Sequence, residues 1–286
     1  KGFINNIKSN ESSVVEVPKN DIVTFIVEIN SKTLSELAEE NSYENILEFA
    51  VTDKCADLAA EIEQNREQVK SSIKEQVPQA DFSDSKSYKT VFSGFSFDAP
   101  YSCLEELQNI PGVVSVSVAG EQKLSAVKNN IEDDYTQASN YYTKAEINPY
   151  KAYELGYTGK NTTIAIIDSG FRTTHDAFSV DPPQQKYNKN TISVISENIG
   201  LNSSQYASAD DMYVSGKIPY AFDYAENDTD VFEITNSHGT HVAGIAAGNN
   251  GKTGEKEFKG SAYDAQLMFM KVGMSNETLS DDAIVA

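Results

Sequence analysis

The chain has 286 residues, with 43 acidic and 23 Lys or Arg side chains, a formal charge of −20 and 39% hydrophobic residues. At roughly 100–200 residues per domain this length fits two packed domains, and such acidity repels phosphate backbones and argues against a nucleic-acid partner. No apolar run reaches the ~20 residues a membrane helix requires, so no membrane-spanning segment is expected.

The opening "KGFINNIKSN" has no initiator Met and no apolar signal core. Either a leader has been removed or the chain starts inside a longer protein. Residues 1–18 are polar and read as a flexible segment. "DIVTFIVEI" (Asp21–Ile29) is β-branched and apolar and predicts a strand. Cys55, Leu58, Ile62, Val69 and Ile73 recur at steps of three, four or their multiples, predicting a long helix that ends before Pro78. "SYKTVFSGFSFDAP" (Ser87–Pro100) predicts the next strand. Ser102 starts a helix, with Glu105 completing a capping box; Leu104, Leu107 and Ile110 are its buried stripe, and Pro111–Gly112 stops it. Val114, Val116 and Val118 alternate with Ser, the period of a strand with one buried face. Residues 19–120 thus read as a small α+β module, an antiparallel sheet with helices on one side. Cys55 and Cys103 suit a disulfide or two small buried hydrophobes, and the pair fixes no redox compartment.

Residues 121–145 are polar with scattered hydrophobics, an exposed connector of the kind proteases cut. The second domain, 146–286, opens on a short helix with Asn148 as N-cap, Pro149 at the first position and Gly156 at the C-terminal cap. "TTIAIID" is apolar on both faces, as inside a parallel sheet. Asp168 closes it at the carboxyl end, where open α/β sheets gather functional groups. Residues 179–235 read as loops holding two strands, "TISVIS" and "IPYAFDY". "NSHGTHVAGIAAG" (Asn236–Gly248) predicts a helix capped by Asn236 or Ser237. "AQLMFMKVG" (Ala265–Gly273) is another buried strand, and Ser280–Asp282 open a last helix.

Two of the chain's three histidines lie in that Gly- and Ala-rich helix. An imidazole opening a helix meets the positive end of the dipole, which favours its neutral, proton-accepting form. A general base also needs a carboxylate on its far nitrogen. Asp168 supplies one if the helix docks beside the strand, and the small residues permit close docking. Two other readings stay open on residue types alone. Asp168 suits a turn and His238 a satisfied polar site; or His238, His241 and Asp168 bind a metal, although i,i+3 histidines are not the spacing of helical zinc motifs.

"IAIIDSGF" followed by "NSHGTHVAGIAAG" resembles the Asp and His motifs of the subtilisin-like serine proteases, in the Asp–His order known for that family. The likeness continues through "YKAYELGYTGKNTTIAIID" and "KGSAYDAQLMFMKV". Upstream, "FSGFSFDAP" and "LEELQNIPGVVSV" are similar to the family's inhibitory propeptide. The resemblance implies an α/β fold: a partial doubly wound parallel-sheet catalytic domain preceded by a small α+β, ferredoxin-like propeptide domain. It implies that Asp168 orients the histidine, that His238 is the general base, and that His241 packs structurally. It lays Asn276, Glu277, Thr278 and Leu279 along the strand that receives substrate. The nucleophile motif "G-T-S-M-A-x-P" does not occur in the chain, so the resemblance implies the first half of a catalytic domain, inactive alone. No cofactor is implied. A structural calcium stays open, because the usual carboxylate position falls at Ala177 while Asp176 lies one register away. Partners implied are protein or peptide substrates and a propeptide held against its own catalytic domain, in a secreted or wall-attached enzyme. The insert before the His motif resembles that of the cell-envelope proteinase branch. The alternative is a non-catalytic inhibitory or binding module with a relic catalytic domain.

Overall fold

The computed structural model describes residues 18–123, 149–233, 237–254, 257–273 and 278–286. Contacts divide the chain into two units, Lys1–Gly120 with Val285–Ala286, and Glu121–Ile284.

Unit 1 runs β1 (Ile22–Ile29), α1 (Leu34–Glu40), α2 (Ile46–Ala50), α3 (Asp53–Gln76), β2 (Ser87–Tyr88), β3 (Gly94–Pro100), α4 (Leu104–Leu107) and β4 (Val113–Val118). Its antiparallel sheet has the order β2-β3-β1-β4. Phe25, Val27 and Ile29 point to one face and meet Phe95, Phe97 and Ala99 of β3, Val69 and Ile73 of α3, and Leu107 of α4. Full burial of each large apolar side chain stabilises by roughly 1.5–3 kcal/mol. Thr52 caps α3 by accepting the Cys55 N–H, and the helix stops at Gln76, two residues before Pro78.

Three details depart from the sequence reading. The run Ser87–Pro100 folds back on itself: Ser87 pairs with Phe95 and Tyr88 with Gly94, with Val91 exposed near the tip of the turn. No capping box forms at Ser102, because its N–H donates to the Lys19 carbonyl at 2.8 Å and the local chain winds as a 3₁₀ turn before α4. In β4, Glu28 faces Ser115 while Ile29 faces Val113, so Val114 is the extra residue of a bulge. Val113 takes the inward place and Val114 is exposed. Cys55 and Cys103 are both buried, free thiols.

The hydrophobic stripe of α3 is interrupted by Arg66, buried at 2% exposure. Arg66 and Lys89 both reach Glu63, and Lys70 lies over the rings of Phe82 and Phe95. Burial, followed by the Arg66 and Lys70 cations, pushes Lys89 from 10.5 down to about 8. Between those values the unfolded chain binds more protons than the folded one, so stability rises with pH through the window and the penalty is fully present below it. The urea midpoint of the unit 1 transition is expected to climb between about pH 7.5 and pH 10, and Lys89→Met to reduce that climb.

Unit 2 contains β5 (Glu121–Lys123), α5 (Tyr150–Glu154), β6 (Thr163–Asp168), α6 (Lys189–Ile199), α7 (Ala209–Met212), β7 (Tyr220–Asp223), α8 (His238–Ala247), β8 (Gln266–Lys271) and β9 (Thr278–Ser280), then α9 (Asp281–Val285). Strands β6, β8 and β7 form a parallel sheet in that order. On one face Ile166, Phe269 and Ala221 share a core with Ala243 and Ala247 of α8. On the other face Phe222 of β7 is fully buried, and the Tyr220 hydroxyl meets Ser203 Oγ at 2.8 Å and the Tyr224 hydroxyl at 2.7 Å. At β6 that face is open: Ile167 is 50% exposed. The expectation of burial on both sides therefore fails for β6, which stands at the edge of the three described strands.

"TISVIS" is helical, not a strand. Asn188 caps the Thr191 N–H, Ile192, Ser196 and Ile199 are buried at helical spacing, and Gly200 ends α6 with φ 64°. Capping and spacing override the β-branched composition. Pro149 precedes α5 without a side-chain cap, and Asn148 lies outside the described residues. The connector begins as a strand, since Glu121–Lys123 pair with β9. Its remainder, and the segment 1–17, lie outside the described residues. Among the described residues no helix is long and apolar enough to cross a membrane.

Candidate active site

Strand β6 carries Asp168 to the carboxyl end of the sheet, where β-branched residues hold the backbone extended and the residue is buried. Its Oδ1 accepts the Ser169 N–H at 2.7 Å and the Ser169 hydroxyl at 3.1 Å. His238 is the first residue of α8. Its Nδ1 lies 2.8 Å from Asp168 Oδ2 and 3.0 Å from Oδ1. An ionised carboxylate only accepts, so the bond requires a proton on Nδ1 and leaves Nε2 of the neutral ring as an acceptor. The His238 side chain is 46% exposed, against 7% for Asp168. The arrangement is a buried acid orienting a ring whose other edge reaches solvent, which suits proton transfer to and from a bound group.

The glycine after His238 explains the small residues around it. A Cβ at position 239 would lie 2.4 Å from the Gly170 carbonyl oxygen and 3.0 Å from both Asp168 Cβ and Phe171 Cε1. Only glycine lets the first turn of α8 rest on the end of β6. Thr240 secures the contact by accepting the Arg172 N–H at 2.8 Å. At the far end of α8, Gly260 comes so close that a Cβ would meet backbone atoms of Gly244, Ala247 and Gly248 at 2.6 Å.

His241 is exposed, contrary to the expectation that it packs. The buried face of α8 consists of Gly239, Ala243, Gly244 and Ala247, and position 241 lies off it. Ser237 precedes the helix without a side-chain cap, and Asn236 is outside the described residues. No group of three or more His, Cys, Asp or Glu among the described residues is arranged to hold a metal. At the turn where the family resemblance leaves a calcium ligand open, the Asp176 carboxylate is paired with the Lys252 ammonium. Ala177 contributes only backbone, its N–H donating to His175 Nδ1 and its carbonyl accepting from Asn249.

Of the four residues assigned to a substrate strand, Asn276 and Glu277 lie outside the described residues. Thr278 and Leu279 are in β9, where Thr278 pairs with Lys123 and Leu279 with Gln122 of β5 in antiparallel register. Leu279 also bridges to Gly273, which packs on the residue after Asp168: a Cβ at 273 would lie 2.8 Å from Ser169 Cα and 2.9 Å from Leu279 Cδ2. The β5–β9 ribbon therefore stands beside the Asp168–Ser169 end of β6.

The sequence reading missed two buried charges at the same sheet end. Lys271 closes β8 in register with Asp168, and Asp223 closes β7 in register with Lys271. Lys271 Nζ lies 2.6 Å from Asp223 Oδ2 and 3.3 Å from Glu226 Oε2. Burial raises the Asp223 carboxyl, while Lys271 and the N–H groups of the following turn pull against that rise. Burial works against the Lys271 charge, but Asp223 and Glu226 outweigh it and hold the ammonium above its ordinary value. A signal existed: "YAFD" and "QLMFMK" are apolar runs closed by a charge, as "TIAIID" is.

Comparison with known proteins agrees with this geometry. Residues 159–286, which include both Asp168 and His238, match the model of the subtilase family. The chain is 31% identical over 229 residues to the PII-type proteinase of Lactococcus lactis subsp. cremoris, covering 77% of this chain and 11% of that protein. It is 28% identical over 198 residues to the minor extracellular protease Vpr of Bacillus subtilis, covering 65% of this chain and 20% of that protein. It is 28% identical over 122 residues to a C5a peptidase of Streptococcus pyogenes, covering 41% of this chain and 10% of that protein. The chain thus spans about a tenth of the length of the lactococcal relatives. The lactococcal match is longer than residues 159–286 can hold, so the similarity extends upstream of the family domain. Motif and strand-end geometry coincide at Asp168 and His238, the family match spans both positions, and the chain belongs to the subtilase family.

Proposed function

We propose that this chain is the precursor region of a secreted or wall-attached subtilisin-like serine endopeptidase, with residues 19–120 as inhibitory propeptide and 146–286 as the first part of the catalytic domain. The observation that carries the reading is the 2.8 Å contact of His238 Nδ1 with Asp168 at the end of a parallel strand, with the ring half exposed. In the proposed enzyme a serine outside these 286 residues attacks the peptide carbonyl. His238 Nε2 takes its proton and returns it to the leaving amine, while Asp168 holds the ring and stabilises the imidazolium. No step calls for a cofactor. The chain's own residues contain no "G-T-S-x-A-x-P" motif, so alone it is proposed to be inactive.

The β5–β9 pairing supports a product-like role for the propeptide's end. Glu121–Lys123, directly after residue 120, lie antiparallel on Thr278–Ser280. A peptide added to an exposed strand gains main-chain hydrogen bonds whatever its side chains, which suits both a proteolytic substrate and the tail that blocks it. The extracellular assignment rests on relatives such as the extracellular protease of Bacillus subtilis. Mass spectrometry of the expressed full-length protein tests the reading. A new N-terminus within 117–145 is expected, and Asp168→Asn or His238→Ala protein is expected to stay uncut. Equal processing in those variants would show that another protease makes the cut and would remove the autocatalytic role.

A further inference from the structure

Asp168, Lys271 and Asp223 form a level row across the carboxyl ends of β6, β8 and β7. Two residues earlier on each strand, Ile166, Phe269 and Ala221 face the core that contains α8. Side chains two apart on a strand share a face, so the row points to the side where His238 enters. All three residues are buried, at 5%, 3% and 0% exposure. Neighbouring strands lie about 4.8 Å apart, so Lys271 stands between two carboxylates at equal strand spacing. Its ammonium goes to Asp223 and, beyond it, Glu226. Asp168 is bonded instead to His238 and Ser169.

From this geometry we infer that Asp223 is a positioning residue for the proposed active site: it holds the Lys271 cation away from Asp168 and so reserves Asp168 for His238. The inference rests on the serine-endopeptidase reading and deepens it. A buried ion pair adds little net stability over an apolar pair of the same volume, so stability alone gives weak reason for a cation in this row. Removing the Asp223 charge leaves the buried cation with only the more distant, exposed Glu226 carboxylate at 3.3 Å, and the other carboxylate in the row is Asp168. Asp223 is itself fixed, with Oδ1 accepting the Ala225 N–H at 2.8 Å and the Glu226 N–H at 3.1 Å. The charged groups gathered here are Asp168 from β6, His238 from α8, Lys271 from β8, and Asp223 and Glu226 from β7 and its turn; Glu233 lies against Gly170.

Peptide hydrolysis by the full-length protein, measured as kcat/KM against pH, tests this with Asp223→Asn, Lys271→Met and the double variant. Asp223→Asn keeps the oxygen that caps the turn and removes the charge. Lys271 then competes for Asp168, the imidazolium loses support, and the acid limb of the profile moves down by about one pH unit with roughly a tenfold loss at the plateau. The double variant removes the cation as well and restores both limb and plateau. An Asp223→Asn protein with the parental profile, or a double variant as impaired as the single one, would overturn the inference; an impaired double would mark Asp223 as purely structural. Retained hydrolysis in Asp168→Asn or His238→Ala would instead overturn the endopeptidase reading itself, so the two failures are distinguishable.

Discussion

Asp168→Asn and His238→Ala each abolish peptide hydrolysis by the full-length protein in the expected result, with losses in kcat of about four orders of magnitude for the Asp change and more for the His change. These are the sizes that loss of the same roles causes in subtilisin-type triads. The physical reason differs between the two. In the proposed mechanism nothing takes the serine proton once His238 is gone. With Asn at 168, the amide nitrogen can donate to Nδ1, which favours the tautomer with its proton on Nε2 and blocks the general base. Because Asp168 also holds the Ser169 N–H, the Asn variant keeps one oxygen for that bond, so its fold is expected to survive. Circular dichroism and thermal melting check that point, and kcat at fixed substrate excess checks the activity. A variant with melting unchanged and activity gone fits the account; a merely tenfold loss in either variant does not.

The second large effect is expected at Gly239. An added methyl would sit 2.4 Å from the Gly170 carbonyl oxygen and 3.0 Å from Asp168 Cβ. Both obstacles belong to the β6 end rather than to a flexible side chain, so α8 must lift away. Overpacking of this kind costs roughly 1–3 kcal/mol, and a misplacement near 1 Å at a catalytic pair can cost on the order of a hundredfold in rate. Gly239→Ala is therefore expected to lose both stability and activity. Gly244→Ala is the internal contrast. Its nearest neighbour would be Phe258 Cζ at 3.5 Å, an ordinary contact, and Ala gains up to about 1 kcal/mol over Gly within a helix. Denaturant midpoints and kcat for the two variants separate close approach at one glycine from general sensitivity of the helix. Equal behaviour of both would contradict the packing argument.

The residues of the proposed site were legible because the chemistry proposed for them constrains local sequence. A carboxylate closing a β-branched run and a histidine opening a Gly- and Ala-rich helix are patterns that few other demands create, and the structure brings Asp168 and His238 into contact. The long helix of unit 1 was legible for the same reason, as an apolar period bounded by Pro78. What was not legible depended on partners distant in the chain. The fold-back at residues 89–93 is a hairpin inside a run that composition reads as one strand. The phase of β4 turns on a bulge set by β1, which no reading of Val114, Val116 and Val118 alone contains. "TISVIS" misled because β-branched residues outweighed the Asn188 cap and Gly200 stop that decide the matter. The Asp223–Lys271 pair escaped notice because the two charges belong to strands 48 residues apart and meet only through the order of the sheet.

The most direct test of the Asp168–His238 assignment is labelling of the full-length protein by a serine-directed fluorophosphonate, with and without His238. The account predicts rapid labelling of the parent protein, insensitive to chelators, and its loss in His238→Ala. Undiminished labelling in His238→Ala, or peptide hydrolysis that a chelator stops while the fluorophosphonate leaves it untouched, would contradict it.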